Sequence, residues 1–472
     1  MFSIADRRWA WLSYGYGVIV TLVLAYFLLG LVVQVSDSFG NLLSVQTRTL
    51  GELIRDQISQ RGYLRPFLWA QIKIVYELSG GHYYAWFRGI HVAQVALLIA
   101  LCLIVIRPRT ALDAALVPLS LAILIGAHTF APMVREAFPI NSFLSVAIGC
   151  VAVAALALRD APHWYTDVLA LAIFGVAALT VESGLLVWVV CAAALLLGAR
   201  GLSRRGVLAM TVGVIAYFAV RMVVFRVGVP ALGERASGFG FGVLEPDDLV
   251  ARFQGRELGF YAYNVLSSIS TVLFSEPKGG VWRFLYEISL ASVHPWTLIS
   301  VLSSAAATAL LAWFVWTRRE SWRAWTFERD DRLVMLFVVV LGANAVLSFG
   351  YAKNVIMGTA GVFLALAVHA AARTWWRDGA HRPLLASVLI FGVLTIGWSY
   401  RMAGNHLNLR WTAAEKRAEW VGVDAWLHDQ HIPLQGPHAY ALRDTLREDA
   451  IRTHPTPFQP AFAWQRWFDI DW

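Results

Sequence analysis

Long apolar runs, each with little or no charge, recur from one end of this chain to the other, and no soluble fold can hide so many. A helix that crosses a bilayer needs about 20 mostly apolar residues, and on that rule about eleven runs qualify, near residues 11–34, 86–106, 110–129, 138–158, 164–181, 183–199, 206–226, 293–317, 332–350, 354–373 and 383–403. An ordinary soluble chain is about 45–50% apolar and about 25% charged; this one is 58% hydrophobic and 15% charged. A soluble globular protein, a disordered chain and a disulfide scaffold are excluded. The expectation is an all-α polytopic membrane protein. The net charge of +8 is then a topology signal on membrane loops rather than a nucleic-acid footprint.

Charge placement orders the spans. With an odd number of spans and the N-terminus inside, the inside loops are all short and hold Arg7, Arg8, Arg107, Arg109, Arg318 and Arg319 among others. Lys and Arg are roughly threefold denser there than in the outside loops, as the positive-inside rule requires. The first run is too long for a signal-peptide core, and it reads as a retained first span. Cys102, Cys150 and Cys191 all sit in apolar runs and read as small buried hydrophobes.

Three segments fall outside the membrane. In the first loop, 35–85, Leu64, Phe67, Leu68, Ile72, Val75 and Leu78 recur at three- and four-residue spacing. That spacing predicts an amphipathic helix, lying at the lipid headgroups or packed on a neighbouring helix. The long loop 227–292 opens a helix at Glu245-Pro246-Asp247-Asp248 and continues with an aromatic stretch. The tail, 405–472, holds five of the twelve histidines (His406, His428, His431, His438 and His454), at spacings that match no zinc signature.

Chemistry concentrates at the outer span ends. Within the spans ionisable residues read as nearly absent: Asp113 and Asp167 lie close to the ends, and His91, His128 and His369 stand alone. A coupled carrier needs such groups at mid-membrane. Asp37 follows span one directly; a carboxylate there is partly desolvated, which suits a general base, while its Ser-Asp-Ser surroundings equally suit a turn. Arg61 and Arg65 flank the start of a surface helix. Arg135 and Glu136 share a short loop. Glu182 stands in a three-residue turn. Arg252, Arg256, Lys278, Arg283, Lys353 and Arg401 are scattered over the outer side and can hold a lipid phosphate.

This order of features resembles the integral-membrane glycosyltransferases of the GT-C superfamily, in the branch of the protein mannosyltransferases and the aminoarabinose transferase. The resemblance covers residues 1–292. Asp37 stands where the family carries its catalytic carboxylate. Gly62-Tyr63-Leu64-Arg65-Pro66 resembles its Arg-Pro element, Glu136 or Arg135 its second-loop polar site, and Glu182-Ser183-Gly184 its acidic turn. Ser38 follows Asp37 where the family often has a second acid, and Glu136 beside Arg135 replaces an Asp.

The resemblance implies a GT-C-like module over 1–292 with surface helices in the first and fourth outer loops, variable transmembrane helices over 293–404 and a small extracytoplasmic cap over 405–472. It implies transfer of a sugar from a polyprenyl phosphate to a hydroxyl of a saccharide, lipid or protein at the outer face of a bacterial inner membrane. Asp37 and Glu136 would be catalytic. Arg65, Arg135, Arg256, Lys278 and Lys353 would bind the donor phosphate, with Arg61 and Glu182 nearby. Some branches hold a divalent metal between paired acids; with a single Asp and a Glu–Arg pair here, no metal or cofactor is expected, and no nucleic acid. A lipid-linked saccharide transporter and a non-catalytic envelope assembly protein are the alternatives.

The odd span number makes a prediction. A cysteine introduced into the tail is labelled by an impermeant thiol reagent from the outer face of intact cells; labelling only after membrane disruption contradicts it.

Overall fold

The computed structural model describes residues 4–33, 38–61, 64–80, 82–138, 142–226, 235–239, 241–274, 282–378 and 384–421, about 80% of the structure being helical. Helix α1 (Ile4–Leu28) is followed by three short helices, α2 (Ser38–Thr47), α3 (Leu50–Arg61) and α4 (Pro66–Leu78). Glu52 accepts hydrogen bonds at 2.8 Å from the backbone N–H and the hydroxyl of Thr49 and so starts α3. Pro66 occupies the first position of α4, where a missing N–H costs nothing.

Helices α5 (Tyr83–Ile106) and α6 (Ala111–Gly126) come next. A reciprocal cap opens α6: Asp113 N–H donates to Thr110 Oγ1 at 3.1 Å, and Thr110 N–H to Asp113 Oδ2 at 3.0 Å. The chain continues through the one-and-a-half-turn α7 (Phe130–Arg135), α8 (Ser142–Ala157), α9 (Trp164–Ala178), a 3-10 turn at Glu182–Leu185, α10 (Leu186–Leu196) and α11 (Arg204–Ala219), which runs on into a π-helical turn, Val220–Val224.

An antiparallel hairpin, β1 (Ala236–Gly238) and β2 (Gly242–Leu244), interrupts the helices, a departure from the all-α expectation. It is held from outside. Ser237 N–H donates to Gly350 O and Ala352 N–H to Ser237 O, both at 3.0 Å. Helices α12 (Pro246–Phe253), α13 (Glu257–Leu273), α14 (Trp282–Ser289), α15 (Pro295–Arg323), α16 (Arg329–Leu347), α17 (Gly358–Asp378) and α18 (Leu384–Val421) complete the described chain. Residues 405–421 continue the eleventh apolar segment as part of the unbroken α18.

This is a helical, membrane-embedded architecture. Among the described residues four helices are long and apolar enough to cross a bilayer: Arg7–Leu28, Tyr83–Ile106, Arg204–Val224 and Pro295–Arg323. Four more apolar helices are shorter: Ala111–Gly126, Ser142–Ala157, Trp164–Ala178 and Glu182–Leu196. Each of the eleven apolar segments holds a helix. The short ones are trimmed by caps and turns at their ends; a helix of 16 residues, such as α6, reaches only about 24 Å.

The main core joins α1, α5, α6, α8, α9, α10, α16, α17 and α18. Helix α17 is buried on every side from Gly358 to Ala372. Its small residues make this possible: a Cβ at Gly358 would strike Met133 Sδ, and one at Gly361 would strike Thr129 Oγ1. A second core sits over one end of the bundle. There Leu42, Val45, Leu53, Ile72 and Val75 of α2–α4 pack on Val32, Val33, Tyr83, Phe87 and Ala137. The inward face of α4 is therefore centred on Ile72 and Val75; Phe67 and Leu78, read from sequence as part of that face, are exposed.

The opposite end is built from arginine. Arg329 donates to Leu158 O at 3.0 Å and Val105 O at 2.7 Å, Arg332 to Leu197 O at 3.0 Å, and Arg107 to Leu158 O at 3.3 Å. Those carbonyls close α5, α8 and α10. Asp330 accepts from Arg373 and Arg377, and Arg318 forks onto Asp331 with two bonds of 2.9 Å. The cations that set the topology in sequence thus cap helix ends in the fold.

A buried pair broken on one side leaves an uncompensated charge. Asp330→Ala removes the carboxylate shared by Arg373 and Arg377 and leaves Arg373 with Asp113, 3.5 Å away, as its remaining acid; it is expected to cost about 2–3 kcal/mol, at or below the cost of a fully stranded buried charge, read as a lowered unfolding midpoint in detergent micelles. Glu320→Ala removes an exposed Arg323 partner and is expected to cost less than about 1 kcal/mol. Equal effects would contradict the capping account.

Candidate functional site

The end of the bundle beneath α2–α4 carries the polar groups of interest. Its first constellation is organised by Arg88, in the second turn of α5 and fully buried. Arg88 Nε donates to Leu31 O at 3.0 Å and Nη2 to Val32 O; both Nη atoms reach Arg135 O, at 3.3 and 3.2 Å, and Nη1 lies 3.1 Å from His91 Nδ1. One guanidinium therefore ties the chain leaving α1 to the end of α7. Arg135 Nη2 lies 3.8 Å from Glu136 Oε1, with both side chains half-buried.

The second constellation is centred on Glu182. Arg65 grips its carboxylate with two guanidinium nitrogens, Nε at 3.0 Å from Oε2. Arg221 Nη1 donates to Glu182 Oε1 at 3.2 Å and lies 3.4 Å from the Tyr217 hydroxyl. The local sequence sets this up. Gly184 sits against the Ala177 carbonyl, where any Cβ would collide, so the 3-10 turn folds back tightly on α9. Phe67 N–H donates to Leu179 O at 3.1 Å, and Gln71 Nε2 to Thr180 Oγ1 at 3.3 Å, which pins the start of α4 beside the same turn.

The expected site residues fall into groups. Arg65 and Glu182 meet directly, and Arg135 and Glu136 are neighbours joined to the end of α1 through Arg88. Asp37 and Lys278 lie outside the described residues, although Val33 and Ser38 on either side of the Asp37 segment are buried. Arg61 ends α3; its side chain is outside what the structure describes. Arg256 is exposed at the start of α13, and Lys353 is exposed with its Nζ 4.5 Å from the centre of the Tyr351 ring.

Of the other cations expected on the outer side, Arg401 and Arg283 have structural partners. Arg401 is buried on the Trp398 ring and donates to Ser300 O, Ser303 Oγ and Ser304 Oγ. Arg283 Nε donates to Glu287 Oε1 at 2.7 Å. The long loop is also tied to the α16–α17 connection, since Asn264 Nδ2 donates to Ser237 O at 3.1 Å and Phe349 O at 2.8 Å. A cavity at the outer membrane boundary is expected to be lined by the first loop, the 130–138 loop and the 227–292 loop; residues 34–37, 227–234 and 275–281 of that lining lie outside the described residues.

Two central residues, Arg88 and Arg221, escape the sequence reading, which takes the spans as nearly free of ionisable groups. The available signal was an arginine inside an apolar run with a polar partner one turn away: His91 for Arg88, Tyr217 for Arg221. Comparison with protein-family models, with characterised proteins and with solved structures finds no match for this chain.

Glu287 gives the segment joining α14 to α15 a pH dependence. Burial raises its pKa, and this is outweighed by hydrogen bonds from Arg283, from His294 N–H and from the Thr297 hydroxyl, which hold it below the usual carboxylate value. An acid depressed in the folded state stabilises fully above its unfolded pKa of about 4.3 and loses that contribution as pH falls through the folded value. Limited proteolysis between α14 and α15 should therefore accelerate below about pH 4, and Glu287→Gln should cleave readily with no such step. Cleavage of the unaltered chain independent of pH would contradict this.

Proposed function

We propose that the chain is a membrane glycosyltransferase that moves a sugar from a polyprenyl-phosphate donor to a hydroxyl acceptor, at the extracytoplasmic face of a bacterial inner membrane. The N-terminus is cytoplasmic, the C-terminus extracytoplasmic, and about eleven helices cross the bilayer. The observation that carries the reading is the union of Arg65 with Glu182, 117 positions apart, beneath the α2–α4 layer. It joins the Arg-Pro start of a surface helix to the acidic turn, two elements that the GT-C resemblance sets in one site.

In this reading Asp37 takes the proton of the acceptor hydroxyl as its oxygen attacks the anomeric carbon. The bond from that carbon to the phosphate oxygen breaks on the opposite face, so configuration inverts. The electron pair leaves with the polyprenyl phosphate, whose growing charge is met by arginine donors from the same end of the bundle. Arg65 and Arg135 are the described candidates, with Arg256, Lys278 and Lys353 approaching from the later loops. Glu136 holds the acceptor hydroxyl toward Asp37.

The test is transfer of a labelled sugar from a polyprenyl-phosphate donor by purified membranes. Asp37→Asn keeps shape and removes the base, so the rate should fall by about 10²–10⁴ with donor binding intact. Arg65→Ala should raise KM for the donor instead. Transfer at the unaltered rate by Asp37→Asn rejects Asp37 as the base. A protein that moves the intact lipid-linked saccharide across sealed vesicles without cleaving it supports the transporter alternative.

A further inference from the structure

Arg221 has guanidinium donors that its neighbours do not use. Its guanidinium has five N–H donors in a rigid fork. Nη1 is used by Glu182 and Tyr217, but Nε and Nη2 are fully buried with no hydrogen-bond partner among the described residues. Buried donors on a charged group without an acceptor are costly, by more than for a neutral group, and such groups in native proteins have a reason: strain, a functional role, or a bound water or ion. The Ser183 hydroxyl, next to Glu182 in the 3-10 turn, is also buried with no hydrogen-bond partner among the described residues. Two cations, Arg65 and Arg221, against one carboxylate leave the cluster at +1, so an anion is favoured.

The backbone agrees. Arg221 lies in the π-helical turn Val220–Val224 that ends α11. Such a turn widens the helix and is frequent at functional sites. It carries the buried Arg221 beside the strongly exposed Val223 and Val224. Along α11, Leu208, Val212 and Ile215 form an exposed apolar stripe at four- and three-residue spacing that runs up to this turn.

From this geometry we infer that Arg221, with Ser183 and Arg65, forms a binding site for a phosphate monoester, and that the phosphate is the headgroup of a lipid whose chain lies along the outer stripe of α11. Arg221 supplies Nε and Nη2 as a two-point fork, Ser183 a hydroxyl, and Glu182 fixes both arginines. The site stands whether or not the chain transfers sugar.

The test uses the full chain in nanodiscs of zwitterionic lipid, titrated separately with a polyprenyl monophosphate and with inorganic phosphate, and followed by native mass spectrometry. The polyprenyl monophosphate is expected to bind more tightly. Arg221→Lys keeps the charge and loses the fork, and should weaken binding about ten- to a hundredfold. Ser183→Ala, a change that leaves the ion pairs in place, should weaken it by about fivefold. A purely structural ion-pair cluster predicts no phosphate binding, or binding unchanged in Arg221→Lys and Ser183→Ala, and either result overturns the site. Equal binding of inorganic phosphate keeps the anion site and overturns the lipid assignment.

Discussion

A helix that ends near hydrocarbon leaves its last carbonyls out of reach of water, and the bundle depends on how those carbonyls are satisfied. Here arginine supplies the donors at both ends. Arg107, Arg329 and Arg332 close α5, α8 and α10 at one end, and Arg88 takes the carbonyls of Leu31, Val32 and Arg135 at the other. Arginine suits the task because its fork reaches several acceptors at once and its charge stays on the donor side. The same contacts decide where the connecting segments lie. The chain leaving α1, the end of α7 and the start of α5 are fixed to one another by a single buried side chain.

The two ends spend their arginines differently. At the arginine-built end the cations are balanced by Asp330, Asp331 and Asp113, and backbone carbonyls take up the remaining donors. Beneath α2–α4 the described acids are fewer: among the described residues Glu182 alone is paired with Arg65 and Arg221, and Glu136 faces Arg135. An end whose described side chains carry surplus positive charge, roofed by short helices that expose Phe67, Ile74 and Leu78, has the chemistry to meet an anionic group carried on an apolar chain. That contrast supports a lipid phosphate at this end and a structural role for the other.

The apolar runs were legible because lipid imposes a length and a composition on any helix within it. Cap chemistry such as Thr110 with Asp113 is equally local. Tertiary contacts were not. Arg88 acts on carbonyls 57 and 56 residues earlier and 47 later, and nothing in the apolar run around it states what it touches. The 236–244 hairpin was missed because its two strands have only three residues each and β1 is held in place by Gly350 and Ala352, far along the chain. The face of α4 was half legible: periodicity found the helix, but which of its apolar residues turn inward is set by the packing of α2 and of the end of α1. Of the site, Arg65, Glu182, Arg135 and Glu136 were found by their position at span ends, and the helical reading overlooked Arg221 because it treats the end of an apolar run as continuous lipid-facing surface.

The central claim is that the chemistry of this protein sits at the end of the bundle beneath α2–α4. The most direct measurement is an electron cryomicroscopy map of the full chain in nanodiscs with a bound polyprenyl monophosphate. The account predicts headgroup density between Ser183, Arg65 and Arg221, with the lipid chain descending along α11. Headgroup density instead among Arg107, Arg329 and Arg373 at the opposite end would contradict it.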